Sequence, residues 1–84
     1  MFLHIQNVEY IKDYILRLEF NDGTVKEVDL RYELFGEMFE SLKDINLFKQ
    51  VKISRNTNTI EWPNGADFAP EFLYQIGKEV RMVA

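Results

Sequence analysis

The chain has 84 residues, of which 46% are hydrophobic and 14% aromatic, and its formal net charge is −4. Chains of this length bury a single small core, so we expect one domain over residues 1–84. Lysine and arginine occur singly, which argues against nucleic-acid binding by the chain alone. Cysteine is absent. The same composition excludes disulfides, thiolate metal sites and a cysteine nucleophile.

The N-terminal stretch "MFLHIQNVEY" lacks the basic segment and the small-residue cleavage site of a signal peptide. No apolar run approaches the roughly 18 residues of a membrane helix, and we expect no membrane partner. A chain without cysteine suits a reducing interior as well as any other compartment. We expect this one in the cytoplasm.

The first part of the chain has the pattern of three strands. Residues 2–11 mix β-branched and aromatic residues, and residues 14–20 alternate apolar and polar side chains, as in a strand with one buried face. Asp22-Gly23 predicts a hairpin, because glycine adopts positive φ at little steric cost. Residues 25–30 then return antiparallel.

The hydrophobic period changes after residue 30. Four apolar residues now have the spacing of one stripe of an amphipathic helix: Phe35, Met38, Phe39 and Leu42. Gly36 within this helix costs about 1 kcal/mol relative to alanine, so it marks either a late helix start or a close backbone approach.

The rest of the chain predicts a second hairpin over residues 47–62 and a C-terminal helix over residues 70–80. Pro70 suits the first helical turn. The order of elements predicts an α+β fold, in which an antiparallel sheet of about four to five strands (two hairpins) carries two short helices on one face.

The segment "WPNGAD" is the most distinctive polar run. Trp62-Pro63-Asn64-Gly65 fits a β-turn, and Asp67 is placed to cap the helix that begins at Pro70. Glu71, in the first helical turn, is favoured there by the helix dipole. Turn and cap explain these residues, and the alternative is a ligand or partner site built on them.

Three stretches carry a family resemblance: "LRLEFNDGTVKEVDL", "LKDINLFKQVKIS" and "IEWPNGADFAPEFLY". In order and spacing they resemble the small bacterial domain-of-unknown-function family 2442, over Val8 to Tyr74. The resemblance implies a compact α+β domain, found alone or ahead of a helix-turn-helix domain, with no established activity and no catalytic residues to transfer. Lone members are similar to partners in proposed toxin–antitoxin style gene pairs. These 84 residues show no helix-turn-helix segment, so DNA binding is not carried over.

Residues suited to catalysis are few. His4 is the only histidine and is expected at the surface or rim. The acidic residues Glu61, Asp67 and Glu71 could hold a hard cation, but no EF-hand-like spacing supports such a site. We therefore expect no enzymatic activity, no catalytic residue, no metal and no cofactor.

Two functions remain open. The first is a non-enzymatic protein-interaction module, antitoxin-like or regulatory, that binds a small neighbouring protein, for which the net acidity favours a basic character, or a second copy of itself. Its expected contact residues form two groups, an exposed sheet face and the turn: Tyr10, Ile15 and Val25, with Asn64 and Asp67.

The alternative function is a small-ligand-sensing domain. Its pocket would lie between the "WPNGAD" turn and the sheet, with Trp62, Asp67 and Glu71 at the ligand.

Overall fold

The computed structural model describes residues 2–80, and the ends of the predicted single domain, residue 1 and residues 81–84, lie outside them. The described residues form a four-stranded antiparallel sheet in the order β1-β2-β3-β6 and a separate two-stranded sheet of β4 and β5. The strands are β1 (Ile5–Lys12), β2 (Ile15–Phe20), β3 (Val25–Asp29), β4 (Lys52–Ser54), β5 (Thr59–Glu61) and β6 (Lys78–Glu79).

Short helices connect and cover these strands. Within residues 2–80 they are α1 (Glu37–Glu40), α2 (Ile45–Phe48) and α3 (Pro70–Ile76), with 3₁₀ turns at Arg31–Glu33 and Ser41–Lys43. The α+β fold expected from the sequence is therefore confirmed.

The alternation in β2 produces one buried face of the large sheet. Leu16, Leu18 and Phe20 have no exposed surface, and Leu16 lies opposite Val28 of β3, which is also fully buried. Side chains of the opposite phase, such as Arg17, remain partly exposed. The sheet thus has an inner, apolar face and an outer, solvated face, as its period of two requires.

The second hairpin and the helices cover the inner face. Phe48 of α2 packs its ring against Tyr14 at 5.3 Å and Trp62 at 5.6 Å between centroids. The Trp62 indole Nε1 donates a hydrogen bond of 2.8 Å to the Phe48 carbonyl, which satisfies the one polar atom that burying this ring removes from water.

The second hairpin forms its own sheet instead of extending the first. The register of β1 shifts between Ile5 and Asn7 and again between Tyr10 and Lys12. Bulges of this kind interrupt the regular row of donors and acceptors that another strand would need. A backbone hydrogen bond of 2.9 Å from the Ile5 N–H to the Asn58 carbonyl joins the two sheets.

The C-terminal helix ends earlier than the sequence predicts. It stops at Ile76, and Lys78 and Glu79 pair with β3 as strand β6. A Cβ at Gly77 would lie 2.9 Å from Val28 Cγ2 and 3.0 Å from the Leu73 carbonyl oxygen. The chain can pass this close to β3 because glycine has no side chain.

The predicted helix over residues 35–42 is also divided. Gly36 has φ 92° and ψ 162° and precedes α1, so Phe35 lies outside any helix. Leu42 is fully buried and Phe39 half-buried, whereas Phe35 and Met38 are exposed. The prediction of one buried apolar stripe was wrong for Phe35 and Met38.

Candidate functional site

The "WPNG" segment forms the β-turn that the sequence predicts. The Gly65 N–H donates to the Trp62 carbonyl at 2.9 Å, and the Trp62 N–H donates to the Ala66 carbonyl at 2.9 Å. Gly65 has φ 88°, the left-handed conformation of a three-residue hairpin loop that ends in a glycine bulge.

The β2–β3 turn repeats this geometry. The Gly23 N–H donates to the Phe20 carbonyl at 3.0 Å, the Phe20 N–H donates to the Thr24 carbonyl at 2.8 Å, and Gly23 also has φ 88°. Both turns therefore have the same hairpin-loop geometry. Because that geometry also occurs at the β2–β3 turn, the backbone of "WPNG" does not by itself indicate a binding site.

The side chain of Asn64 forms hydrogen bonds to other groups of the protein, although the residue is exposed. Its Oδ1 accepts from the Ala66 N–H at 3.0 Å, and its Nδ2 donates to the Met38 carbonyl at 2.8 Å and to Ser41 Oγ at 3.0 Å. Asn64 therefore ties the turn to α1 and to the 3₁₀ turn that follows it.

Asp67 and Glu71 are both exposed. The sequence predicts that Asp67 caps α3, and this prediction was wrong. The N-cap is Ala69, without a side-chain hydrogen bond, and Pro70 begins the helix. Proline has no N–H, so one of the donors that a cap would satisfy is absent. Among residues 2–80 no group of three His, Cys, Asp or Glu side chains could hold a metal ion, so Glu61 does not join Asp67 and Glu71 in a cation site.

Trp62 does not contribute to the predicted ligand pocket. Its side chain has no exposed surface, and its indole N–H is bonded to the Phe48 carbonyl. In this arrangement the ring is not accessible to a ligand, because it lies between the second hairpin and the inner face of the sheet and completes the core.

Tyr10 lies on the inner face of the sheet, so its predicted position on the exposed face was wrong. It pairs opposite the buried Leu16, and its ring packs edge-on against Phe48 at 6.1 Å. The bulges of β1 shift the phase of its side chains, and simple alternation along the sequence does not locate such shifts.

Ile15 and Val25 do lie on the outer face, opposite Asp29 and Glu19 respectively. They do not form one apolar surface, because they border two different shallow depressions. Asn64 belongs to the layer that covers the inner face. The structure therefore does not bring the five predicted contact residues together.

Charges dominate the outer face. Arg17 Nη2 donates to Glu27 Oε2 at 2.7 Å, and Arg17 Nη1 lies 3.9 Å from Glu9 Oε2. The hydrogen bond to Glu27 raises the pKa of the guanidinium above its ordinary value. The Arg17 Nε is buried without a partner, but the carboxylates around it disfavour an anionic ligand.

The structure exposes a second surface, which the sequence pattern does not predict. Among the described residues, three of the four exposed large hydrophobic side chains lie within residues 32–38: Tyr32 (83% exposed), Phe35 (68%) and Met38 (48%). We call these three residues the 32–38 patch. Gly36 was the available signal, because a glycine inside an amphipathic pattern can end the helix and turn the residue before it outward.

These features define a small α+β domain with a charged outer sheet face and an exposed apolar segment beside its covering layer. The chain belongs to the family described as "Protein of unknown function (DUF2442)", whose model matches residues 5–79. The family expected from the sequence is thus confirmed. No curated protein and no solved structure matches the chain. Across residues 2–80, none of the helices has the length and apolar character to cross a membrane.

Proposed function

We propose that this protein is a non-enzymatic interaction module that binds another protein through the 32–38 patch. The observation that supports this proposal is the exposure of Tyr32, Phe35 and Met38 within seven consecutive residues. Single exposed hydrophobic residues are common on small proteins, whereas clustered ones mark surfaces that bind partners.

The backbone holds this segment in place. The side chains of Leu30 and Leu34 are buried in the core, and the Glu33 N–H donates to the Leu30 carbonyl at 2.9 Å. Further along, the Glu40 N–H donates to the Gly36 carbonyl at 2.9 Å. A surface ordered before binding loses less conformational entropy on association, which favours affinity.

The "WPNGAD" turn contacts the same surface at Met38. Asn64 binds the Met38 carbonyl, and Met38 Cε lies 3.5 Å from the position of a Cβ on Gly65. In this proposal Asn64 positions the patch and does not itself contact the partner.

The outer sheet face is the weaker candidate for a docking surface. Its centre is the Arg17–Glu27 ion pair, and docking there would remove paired charges from water at a cost that their attraction does not reliably offset. Ile15 and Val25 are separated by that pair along the sheet.

The form of this activity that the family resemblance favours is an antitoxin-like or regulatory role toward a small neighbouring protein, in the cytoplasm. The 32–38 patch would serve such a role, because one rigid apolar surface is sufficient to hold a single small partner.

The proposal is tested by affinity capture from the native cells with the full chain tagged at Ala84. We expect one stoichiometric partner with the unmodified chain and its loss with Phe35→Ser. The matched control is Phe2→Ser, because Phe2 is 83% exposed and lies outside the patch. Retention of the same partner by Phe35→Ser combined with Met38→Ser, in protein shown to be folded, would exclude the patch.

A further inference from the structure

The charges around the 32–38 patch are mainly negative. Residues 29–44 contain five acidic and two basic residues, and therefore carry −3 of the chain's net charge of −4. Glu33 and Glu37 lie inside or beside the patch, and neither forms an ion pair within the part of the chain that the structure describes.

Both basic residues of this segment are already engaged. Arg31 Nη2 lies 3.7 Å from Asp13 Oδ2, and Lys43 Nζ lies 2.8 Å from Glu40 Oε1. Glu33 and Glu37 thus have no ion-pair partner among the described residues, and they belong to the same short segment as the three exposed hydrophobic side chains.

We infer that the 32–38 patch binds a basic amphipathic segment of another protein, in which apolar side chains alternate with lysine or arginine. This inference rests on the proposed function and adds the chemistry of the partner. Apolar side chains of the segment would cover Phe35 and Met38, and its cations would pair with Glu33 and Glu37. Complementary charge at a rim increases the association rate and selects among partners.

The same charges disfavour other occupants. A second copy docked patch to patch by twofold symmetry would bring the acidic residues of both patches into one interface, and like charges brought together oppose association. Anionic lipid and nucleic-acid surfaces would be repelled for the same reason.

The test is an NMR titration of the full isotope-labelled chain with a short amphipathic peptide of leucine and lysine, in which the amide chemical shifts of the chain are measured. The control peptide has the same sequence with every lysine replaced by glutamate. We expect the lysine peptide to shift amides of residues 31–41 and 64–66, and we expect its binding to weaken as salt rises, because salt screens exposed charges.

Variants separate the apolar contribution from the charged one. Phe35→Ser should weaken binding of the lysine peptide about tenfold or more, and Glu33→Gln with Glu37→Gln should weaken it about threefold or more. The controls are Phe2→Ser and Glu71→Gln, since both residues are exposed and lie outside the patch, and each should leave the affinity unchanged.

The possible failures are distinguishable. Equal binding of the lysine and glutamate peptides at the patch would overturn the basic partner and leave the apolar docking surface standing. Shifts centred on Glu9, Glu19 and Glu27, or no binding of the lysine peptide, would also overturn the inference. Binding of the chain alone, without any peptide, to phosphatidylserine vesicles in a manner that depends on Phe35 would overturn it in favour of a lipid surface. Capture of a protein partner that depends on Phe35 would still support the proposed function.

Discussion

Gly36 determines where Phe35 points. Its φ of 92° with ψ of 162° lies in a region that essentially only glycine occupies, and other residues there cost on the order of 1–3 kcal/mol. A Cβ at this position would meet no atom within 4 Å, so the backbone conformation alone requires glycine.

We therefore expect Gly36→Ala to lower the free energy of unfolding by about 1–3 kcal/mol in urea denaturation. The control is Glu37→Ala at the next, exposed position, where we expect a change within about 0.5 kcal/mol. If Gly36→Ala were as stable as Glu37→Ala, the positive φ would not be required for folding.

Asp22 is the residue whose titration reports the β2–β3 turn. The hydrogen bond from the Thr24 N–H, and secondly that from the Tyr74 hydroxyl at 2.9 Å, lower the pKa of its carboxyl. A carboxyl whose folded pKa is depressed contributes stability above its unfolded pKa, and this contribution is lost as the pH falls through the folded value. The loss thus occurs in acid, below about pH 4.

Carbon-detected NMR titration of the Asp22 carboxyl checks this assignment. Tyr74→Phe should raise the pKa only part of the way to its ordinary value, since the larger cause, the Thr24 N–H, remains. Tyr32→Phe, which removes an exposed hydroxyl elsewhere, should not change it. A pKa for Asp22 at its ordinary value in the unmodified chain would show that the turn hydrogen bonds do not persist in solution.

At the scale of elements, the end of α3 is held against β3 by contacts on both sides of Gly77. Lys26 Nζ donates to the Tyr74 carbonyl at 2.6 Å and lies 3.9 Å from the centre of the Tyr74 ring. A cation at this position satisfies one of the last helical carbonyls and complements the helix dipole. The Val80 N–H then donates to the Val25 carbonyl at 2.9 Å.

Gly77→Ala should reduce stability by about 1–3 kcal/mol, because its methyl group would overlap Val28 and the Leu73 carbonyl. This steric cost outweighs the gain of about 0.4–1 kcal/mol that alanine brings by restricting the unfolded chain. Urea denaturation of Gly77→Ala, Val28→Ala and the double variant tests the contact. We expect the double variant to be more stable than the sum of the single losses predicts, and strict additivity would show that the two residues do not clash.

In the molecule as a whole, both the core and the 32–38 patch consist mainly of large hydrophobic side chains. Leu42 is fully buried and Phe35 is 68% exposed, although both belong to the stripe that the sequence assigns to one helix face. The covering layer buries one end of that stripe and leaves the other in water.

Stability measurements distinguish the two ends. Leu42→Ala should cost about 2–5 kcal/mol, as expected for a buried leucine, whereas Phe35→Ser should change the free energy of unfolding by less than about 0.5 kcal/mol. A loss of 2 kcal/mol or more with Phe35→Ser would return this residue to the core and remove the patch from the binding surface.

Four features follow from the amino-acid sequence alone: the family, the α+β class, the strand β2 with its buried face, and both glycine turns. Those features depend on short-range causes: the alternation of side chains along an extended chain, and the φ values that Gly23 and Gly65 adopt.

Three outcomes could not be predicted from the local pattern: Tyr10 faces inward, Trp62 is fully buried, and Phe35 and Met38 are exposed. Each of these outcomes depends on bulges or on contacts between segments distant in sequence, such as the Asn64 hydrogen bond to Met38. Local hydrophobic patterns identify side chains that could be buried, but packing between elements determines which of them are covered.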